Sequence, residues 1–426
     1  MNFIEELKER ELFYASTDEE KLLEHLGDGT PVSFYIGFDP TADSLHVGSL
    51  LQILLMVRLQ NHGHRPIAVV GGGTGMIGDP SGKSAERKLL DEESLKANVA
   101  GIEKQLAGFL RMGDGPTDAK VVNNYDWLSK MGYIEFLRDI GKFFSVNSMI
   151  AKESVKNRLS NREQGISYTE FSYMLLQSYD YLHLFRSEGC TLQMGGSDQW
   201  GNITTGIDLI RRMEGQGAHG ITIPLLTTAS GTKFGKTEAG TVWLDADRTS
   251  PYQFYQFWVR TEDADVIKLL KNFTFLPMEE ISLLEKALIE QPGARIPAKK
   301  LAEELTRMVH GEEGLTAALN ASKALFGGDL SSLSARELAE CFEDVPSHSI
   351  ELSALEAGIP LLTLLADSGF VASKGEARRL IKQGGFYVNN QQEQDQEMVL
   401  TPATLLAGRF MVFRAGKKRY MLIKTT

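Results

Sequence analysis

The chain has 426 residues, 42% hydrophobic and 24% charged, the size of two or three domains and the composition of an ordinary globular protein. Two distant cysteines, Cys190 and Cys341, argue against a disulfide framework and fit a reducing cytosol, and no apolar run approaches membrane-spanning length. The net charge of −11 hides an asymmetry: Ile359–Thr426 carries ten Lys/Arg against five Asp/Glu and the other 358 residues 35 against 51, so a polyanionic partner is expected at the C-terminal end.

Met1–Glu6 is acidic and reads as a helix rather than a signal peptide, and residues 1–30 read as a helix closed by a turn at Gly27-Asp28-Gly29. Val32, Phe34 and Ile36 then alternate with Ser33 and Tyr35, the period of a strand. Asp39-Pro40 breaks it, and from Ser44, the expected N-cap, the apolar spacing turns helical through Leu45, Leu50, Leu51, Leu54, Leu55 and Val57. Tyr35, Asp39, Thr41 and His46 therefore crowd one strand end, with His46 and Gly48 in the first helical turn. A helix start offers unpaired N–H groups and the positive end of a dipole, a setting for phosphate. Gly48 lets a flat ligand approach, and His46 adds a donor. A bare crossover would carry a lone His-x-Gly just as well; the crowding of polar residues is what argues for a site. Pro66–Val70 is a short buried strand, so residues 32–70 form a βαβ unit of a parallel sheet, which binds ligands at the carboxyl ends of its strands.

Gly71–Ser84 follows. Gly73–Gly78 matches the dinucleotide fingerprint by letter, but Asp79-Pro80-Ser81-Gly82 is a turn where a helix should open. Gly78–Ser84 is one residue short of a phosphate loop. What survives is a glycine-rich loop able to lie against a ligand, with Asp79, Lys83 and Arg87 nearby. Residues 92–160 alternate helices with one short strand, Lys120–Asn124. Helical periodicity through Thr169–Tyr181, capped by Ser167 or Thr169, puts Tyr173, Gln177 and Asp180 on one face, a set of donors and acceptors unlike a solvated Lys/Glu face. Leu192–Asn202 reads as a strand ending in Gly195-Gly196, with Asp198 and Gln199 placed for ribose hydroxyls and Ser197 or Asp198 as cap. After the strand Gly220–Leu226, Lys233-Phe234-Gly235-Lys236-Thr237 forms a cationic loop able to clamp a phosphate chain. The histidines, His62 and His64 included, lack metal-ligand spacing, so no metal site is expected.

Residues 251–325 are helical and 327–358 read as a linker with a short helix. From Ile359 a basic helix capped by Ser373, a strand and turn at Phe386–Asn390, and strands near Arg409–Arg414 and Arg419–Lys424 form a small αβ module. The expected boundaries are 1–248, 249–326, 327–358 and 359–426.

Taken together these residues resemble the bacterial tyrosyl-tRNA synthetases of class I, over essentially the whole chain. Phe38–Ser49 resembles the family's HIGH signature, Lys233–Thr237 its KMSKS signature, and Gly195–Asn202 is also typical. The tail is similar to an RNA-binding module shared with a ribosomal small-subunit protein. Ser49 replaces the last histidine of HIGH, so one usual contact to ATP is weaker or remade by a hydroxyl. Phe234-Gly235 replaces Met-Ser, and Thr237 keeps the final hydroxyl. The resemblance implies an α/β fold with a Rossmann-like parallel-sheet catalytic domain, a helical domain and a small α+β RNA-binding module. It implies a cytoplasmic homodimer that acts on tyrosine, ATP with Mg²⁺, and tRNA(Tyr). Tyr35 and Asp180 would bind the phenol, Tyr173, Gln177 and Asp79 the ammonium, and Gln199 the carboxyl end. Gly37, Asp39, His46, Ser49, Gly196, Asp198 and Lys236 would hold ATP or the adenylate, with Gln193 and Asn124 supporting the pocket. Thr41, His46, Lys233, Lys236 and Thr237 would stabilise the phosphates, Lys83 and Arg87 being further candidates. Lys374, Arg378, Arg379, Lys382, Lys417 and Lys418 would meet tRNA. The rival readings are a tryptophanyl-tRNA synthetase-like class I enzyme, an NAD-dependent dehydrogenase resting on Gly73–Gly78, and a non-catalytic RNA-binding protein using only the tail.

Overall fold

The βαβ unit expected at residues 32–70 forms, and a parallel sheet grows from it. The structure, a computed structural model, describes residues 1–81, 91–160, 165–227, 234, 236–237, 240–324, 327–343, 345–416 and 419–426. Its elements fall into two units, Met1–Asp245 with Glu262–Pro292, and Ala246–Thr261 with Gly293–Thr426.

In the first unit, helix α1 (Phe3–Glu9) leads to strands β1 (Ala15–Ser16) and β2 (Ser33–Phe38), helix α2 (Val47–Asn61) and strand β3 (Arg65–Val70). Helix α3 (Glu92–Phe109), strand β4 (Lys120–Asn123), helix α4 (Tyr168–Glu188), strand β5 (Cys190–Gly196), helix α5 (Trp200–Glu214) and strand β6 (His219–Ile223) follow, and helix α6 (Asp263–Phe273) comes later in the chain. The sheet order is β1-β6-β5-β2-β3-β4, parallel except for β1. Chain order runs one way from β2 to β4 and the other way from β5 to β6. Between β2 and β5 the crossovers diverge, and that is where such sheets open a ligand crevice. β2 is central and buried on both faces, which is why Phe34, Tyr35 and Ile36 are all inside. α2 is apolar on most sides, and Leu50, Leu51, Ile53, Leu54, Leu55, Met56 and Leu59 are buried accordingly.

Local expectations hold in part. The first thirty residues hold two helices, α1 and Glu19–Gly27, with β1 between them pairing with β6. After Gly73 the backbone makes only a 3-10 turn, Thr74–Met76, so the dinucleotide fingerprint lacks its helix. Two of its glycines serve close internal packing: a Cβ at Gly73 would lie 2.9 Å from Leu128 Cδ1, and one at Gly75 3.2 Å from Pro40 Cδ.

Residues 263–290, expected in a separate helical domain, belong to the first unit. Arg10 donates to the carbonyls of Lys271, Thr274 and Leu276, and the buried Arg58 of α2 donates to those of Asn272 and Thr274. The carbonyls of Lys271, Asn272 and Thr274 end α6, where a cation meets the negative end of the dipole. Glu6 neutralises both arginines; His62 first, then Arg58 and Arg10, hold its carboxyl down at about 2 despite burial.

In the second unit, helix Pro251–Val259 packs against Ile296–Ala324. A five-stranded sheet runs Gln391–Gln392, Phe386–Val388, Phe410–Ala415, Arg419–Thr425, Ser347–Ile350, the last pair parallel. The edge strand Ser347–Ile350 lies within the residues expected as linker. Helix α7 (Lys374–Lys382) is capped by Ser373, whose side chain accepts from the Glu376 N–H, and buries Ala377 and Ile381. Among the described residues no helix is long and apolar enough to cross a membrane.

Candidate active site

A cavity of about 280 Å³ opens at the carboxyl ends of β2, β3 and β5. Tyr35, Gly37, Asp39, Asp79, Tyr173, Gln177, Asp180, Gly196, Asp198 and Gln199 line it, together with Asn124 and Gln193. At one end Tyr35 is buried, its ring edge-on to Tyr181 at 5.3 Å, and its hydroxyl has no hydrogen-bond partner among the described residues. The Asp180 carboxylate, equally buried, accepts from Asn124 Nδ2 at 2.9 Å and Trp127 Nε1 at 2.7 Å. Burial pushes Asp180 up to about 7, the two donors pulling the other way. Burial, and then the Asp180 charge, push the Tyr35 phenol well above its usual range.

Beside this pair lies an amide cluster. Gln199 Nε2 donates to Asp79 Oδ2 at 2.7 Å and Gln177 Nε2 to Gln199 Oε1 at 3.3 Å, while Asn202 Nδ2 reaches Gln177 Oε1 at 3.0 Å and Gln199 Oε1 at 3.1 Å. Tyr173, Gln177 and Asp180 come from one face of α4, as their spacing requires. At the other end the backbone makes room for carboxylates: a Cβ at Gly196 would lie 2.6 Å from Asp198 Oδ1, and one at Gly71 3.1 Å from Asp39 Oδ1. Gln193, which pairs with Tyr35 across the sheet, has a buried Oε1 with no partner among the described residues.

The cap of α2 is His46, not Ser44. His46 Nδ1 accepts from the N–H groups of Gly48 at 3.0 Å and Ser49 at 3.3 Å, which in the neutral ring leaves the proton on Nε2. The cap uses N–H groups expected to face a ligand and converts them into a fixed imidazole donor. Gly48 is needed for it, since a Cβ there would lie 2.8 Å from His46 Cε1. α5 likewise follows a 3-10 turn, and its N-cap position is Gln199 rather than Ser197 or Asp198. Thr41 is exposed in a tight turn, its N–H bonded to Asp39 O, and with His46 and Ser49 it lies outside the cavity lining.

The lysine loop comes back to this helix start. Phe234 O lies 3.9 Å from where a Gly48 Cβ would be, and Lys236–Thr237 pairs with Gly240–Thr241. Trp243 then bridges to His46, the Val47 N–H donates to Val242 O, and the Leu244 N–H donates to Leu45 O. Two motifs nearly 190 residues apart thus lie side by side. Lys83, Arg87, Lys233, Lys417 and Lys418 lie outside the described residues, as do the side chains of Lys236 and Thr237. Lys374, Arg378, Arg379 and Lys382 are all exposed on α7.

The family described as "tRNA synthetases class I (W and Y)" matches residues 28–327, and the "Tyrosine--tRNA ligase SYY-like C-terminal domain" matches 337–423. The tyrosine--tRNA ligase of Geobacillus stearothermophilus is 53% identical over 425 residues, covering all of both chains. The chain belongs to the class I tyrosyl-tRNA synthetases. Tyrosine--tRNA ligase 2 of Enterococcus faecalis is 52% identical over 99% of both chains. A C-terminally truncated mitochondrial tyrosyl-tRNA synthetase of Aspergillus nidulans superposes with a TM-score of 0.68 at 33% identity, over 76% of this chain and 94% of that one. Such relatives favour a tyrosine enzyme over the tryptophan alternative.

Three side chains of this synthetase's cavity region escaped the sequence reading. Trp127 follows the carboxyl end of β4, a place where ligands gather, yet nothing local pairs it with Asp180, 53 residues on. Asn202 stood in a quoted motif without a role. Gln52 lines the cavity with a buried Oε1 that has no partner among the described residues. It lies three residues after Ser49, and a lone amide on an apolar helix was its available signal.

Proposed function

We propose that this synthetase activates L-tyrosine with ATP to tyrosyl-adenylate and pyrophosphate, then transfers the tyrosyl group to the 3′ end of tRNA(Tyr). The observation that carries the reading is the buried Tyr35 hydroxyl, which has no partner among the described residues, beside the Asp180 carboxylate in the cavity lining. A phenol hydroxyl satisfies both: it accepts from Tyr35 and donates to Asp180. The Asp79–Gln199–Gln177–Asn202 cluster, with Tyr173, would hold the ammonium. Gly37, Asp39, Gly196 and Asp198 would line the adenosine side.

No general base is needed, because the carboxylate of tyrosine is already the nucleophile. It attacks the α-phosphorus of ATP in line, and the bond to the bridging oxygen breaks with its electrons leaving on pyrophosphate. The protein positions the reactants and stabilises that growing charge. His46 offers Nε2–H, its tautomer set by the cap, and Thr41, Lys233, Lys236 and Thr237 act on the same phosphates. Mg²⁺ enters as part of the ATP substrate.

Tyrosine-dependent ATP–pyrophosphate exchange tests the reading; exchange driven by tryptophan instead, or absent with tyrosine, would overturn it. In that assay Lys236→Ala is expected to lower kcat by about 100-fold with little change in tyrosine affinity, since a cation facing the leaving group acts mainly in the transition state. Lost tyrosine affinity with a normal chemical step would reverse the assignment.

The same reading makes the enzyme a cytoplasmic homodimer, a location that cell fractionation would check. Tyr133, Ile134, Leu137, Val146, Ile150 and Tyr168 are exposed, and the Tyr133 and Tyr168 hydroxyls lie 3.3 Å apart. An apolar set of this kind is a surface for a second copy. Ile134→Lys is expected to convert a species of twice the chain mass into monomer in sedimentation; an unchanged mass would place the dimer contact elsewhere.

A further inference from the structure

The turn that delivers His46 is held from two sides through one hydroxyl. Ser44 is 4% exposed. Its Oγ donates to Leu45 O at 2.8 Å, accepts from Gln105 Nε2 at 2.9 Å and accepts from the Asp245 N–H at 3.2 Å, which fills its capacity. Gln105 uses its other end as well, Oε1 accepting from the Leu45 N–H at 2.8 Å. Farther along the same face of α3, Asn98 Nδ2 donates to Pro40 O at 3.0 Å, and Gly101 packs so closely that a Cβ would lie 2.0 Å from Asp43 O. Residues 98, 101 and 105 are spaced i, i+3 and i+7, so one stripe of α3 grips the whole turn from Pro40 to Leu45. Asp245 comes from the other direction, eight residues after Thr237 and just beyond the backbone bonds that join Val242 to Val47 and Leu244 to Leu45.

We propose that the Gln105–Ser44–Asp245 chain sets the spacing between His46 and the lysine loop, which makes Ser44 and Gln105 positioning residues for adenylate formation. Neither lines the cavity, so neither is placed to touch substrate. Each joins a segment carrying one phosphate-side motif to a segment fixed elsewhere in the unit. The charge leaving on pyrophosphate must meet both motifs at once, and displacement by an ångström at such a point costs rate rather than ground-state binding. The burial of Ser44 follows from the same geometry, since a junction of three segments sits between them. The inference rests on the reading of His46 and the lysines as phosphate-side groups.

Ser44→Ala and Gln105→Leu, which remove the bonds at little change in volume, test it. Pre-steady-state adenylate formation is expected to slow by about 10- to 100-fold in each. Tyrosine dissociation constants should stay within about twofold of wild type, which also shows that the variants are folded. Combining Gln105→Leu with Lys236→Ala should cost clearly less than the product of the single losses, because the linkage acts partly through the loop. Normal rates in both single variants, rates reduced only in step with lost tyrosine binding, or fully multiplicative losses in the double variant would overturn the proposal. Failure of the wild-type protein to exchange pyrophosphate with tyrosine would instead overturn the functional reading beneath it.

Discussion

Asp180→Ala is expected to remove most of the enzyme's preference for tyrosine over phenylalanine while leaving the KM for ATP within about twofold. The carboxylate is buried and its two protein donors, Asn124 and Trp127, already orient it, so its remaining acceptor capacity faces the cavity. A hydrogen bond to a charged group in such a place contributes roughly 2–3 kcal/mol, about 30- to 150-fold in relative kcat/KM. Tyr35→Phe removes a neutral partner and is expected to cost less, about 1 kcal/mol. Phenylalanine loses to tyrosine because it leaves both groups unpaired. The measurement is kcat/KM for both amino acids in pyrophosphate exchange, and an unchanged ratio in both variants would remove the pair from the specificity pocket.

The same carboxyl predicts a pH dependence. Burial raises Asp180 from the ordinary carboxylate range to about 7 in the ligand-free enzyme. Below that pH it carries a proton and is a poorer acceptor, so tyrosine affinity is expected to weaken as pH falls through about 7, and to lose that dependence in Asp180→Ala. For folding the sign is opposite. The native carboxyl holds its proton more tightly than the unfolded one, so its stabilising contribution is complete below about pH 4 and is lost as pH rises through about 7. Tyrosine titrations and thermal unfolding between pH 5 and 8 separate the two effects.

Replacing Lys374, Arg378 and Lys382 together by glutamate is expected to cut tRNA charging by about 100-fold or more at physiological salt, with adenylate formation within twofold. The three recur every four residues along α7 and are exposed, and no ion pair involves them among the described residues. Their opposite face, Ala377 and Ile381, stays in the core with Phe370, Phe386 and Phe413. The substitution therefore reverses charge on the outer face only. If the three meet phosphates, the salt slope of tRNA binding should fall by about 3 as well. Equal charging across several salt concentrations would show that α7 does not touch tRNA. Substitution is the better test than truncation at Ile359. Leu406, Phe410, Val412 and Leu422 pack with Leu330, Leu333 and Leu338, and Arg419–Thr425 pairs with Ser347–Ile350. A cut at Ile359 would strip the partners from all of these.

Much of the cavity was legible in the sequence. Period-two and period-3.6 patterns are local, so they locate the end of β2, the strand–glycine turn at Gly195-Gly196 and the shared face of Tyr173, Gln177 and Asp180. A parallel sheet then gathers such strand ends at one edge, and most of the residues named for tyrosine and the adenylate do line one cavity. The tertiary structure decided what depends on partners distant in sequence. By type Ser44 is the expected cap, but Gln105 and Asp245 take its hydroxyl, and the helix starts three residues later with His46 as its cap. Trp127 reaches Asp180 only because β4 and α4 are brought together around β3. Residues 263–290 look like any helical segment until Arg10 and Arg58, more than 200 residues earlier, bind the carbonyls that end α6. Ser347–Ile350 carries no strand pattern strong enough to separate it from a linker, and it becomes a strand by pairing with Arg419–Thr425. Local spacing encodes which side chains share a face; which distant donor reaches a given hydroxyl or carbonyl is set only when the segments pack.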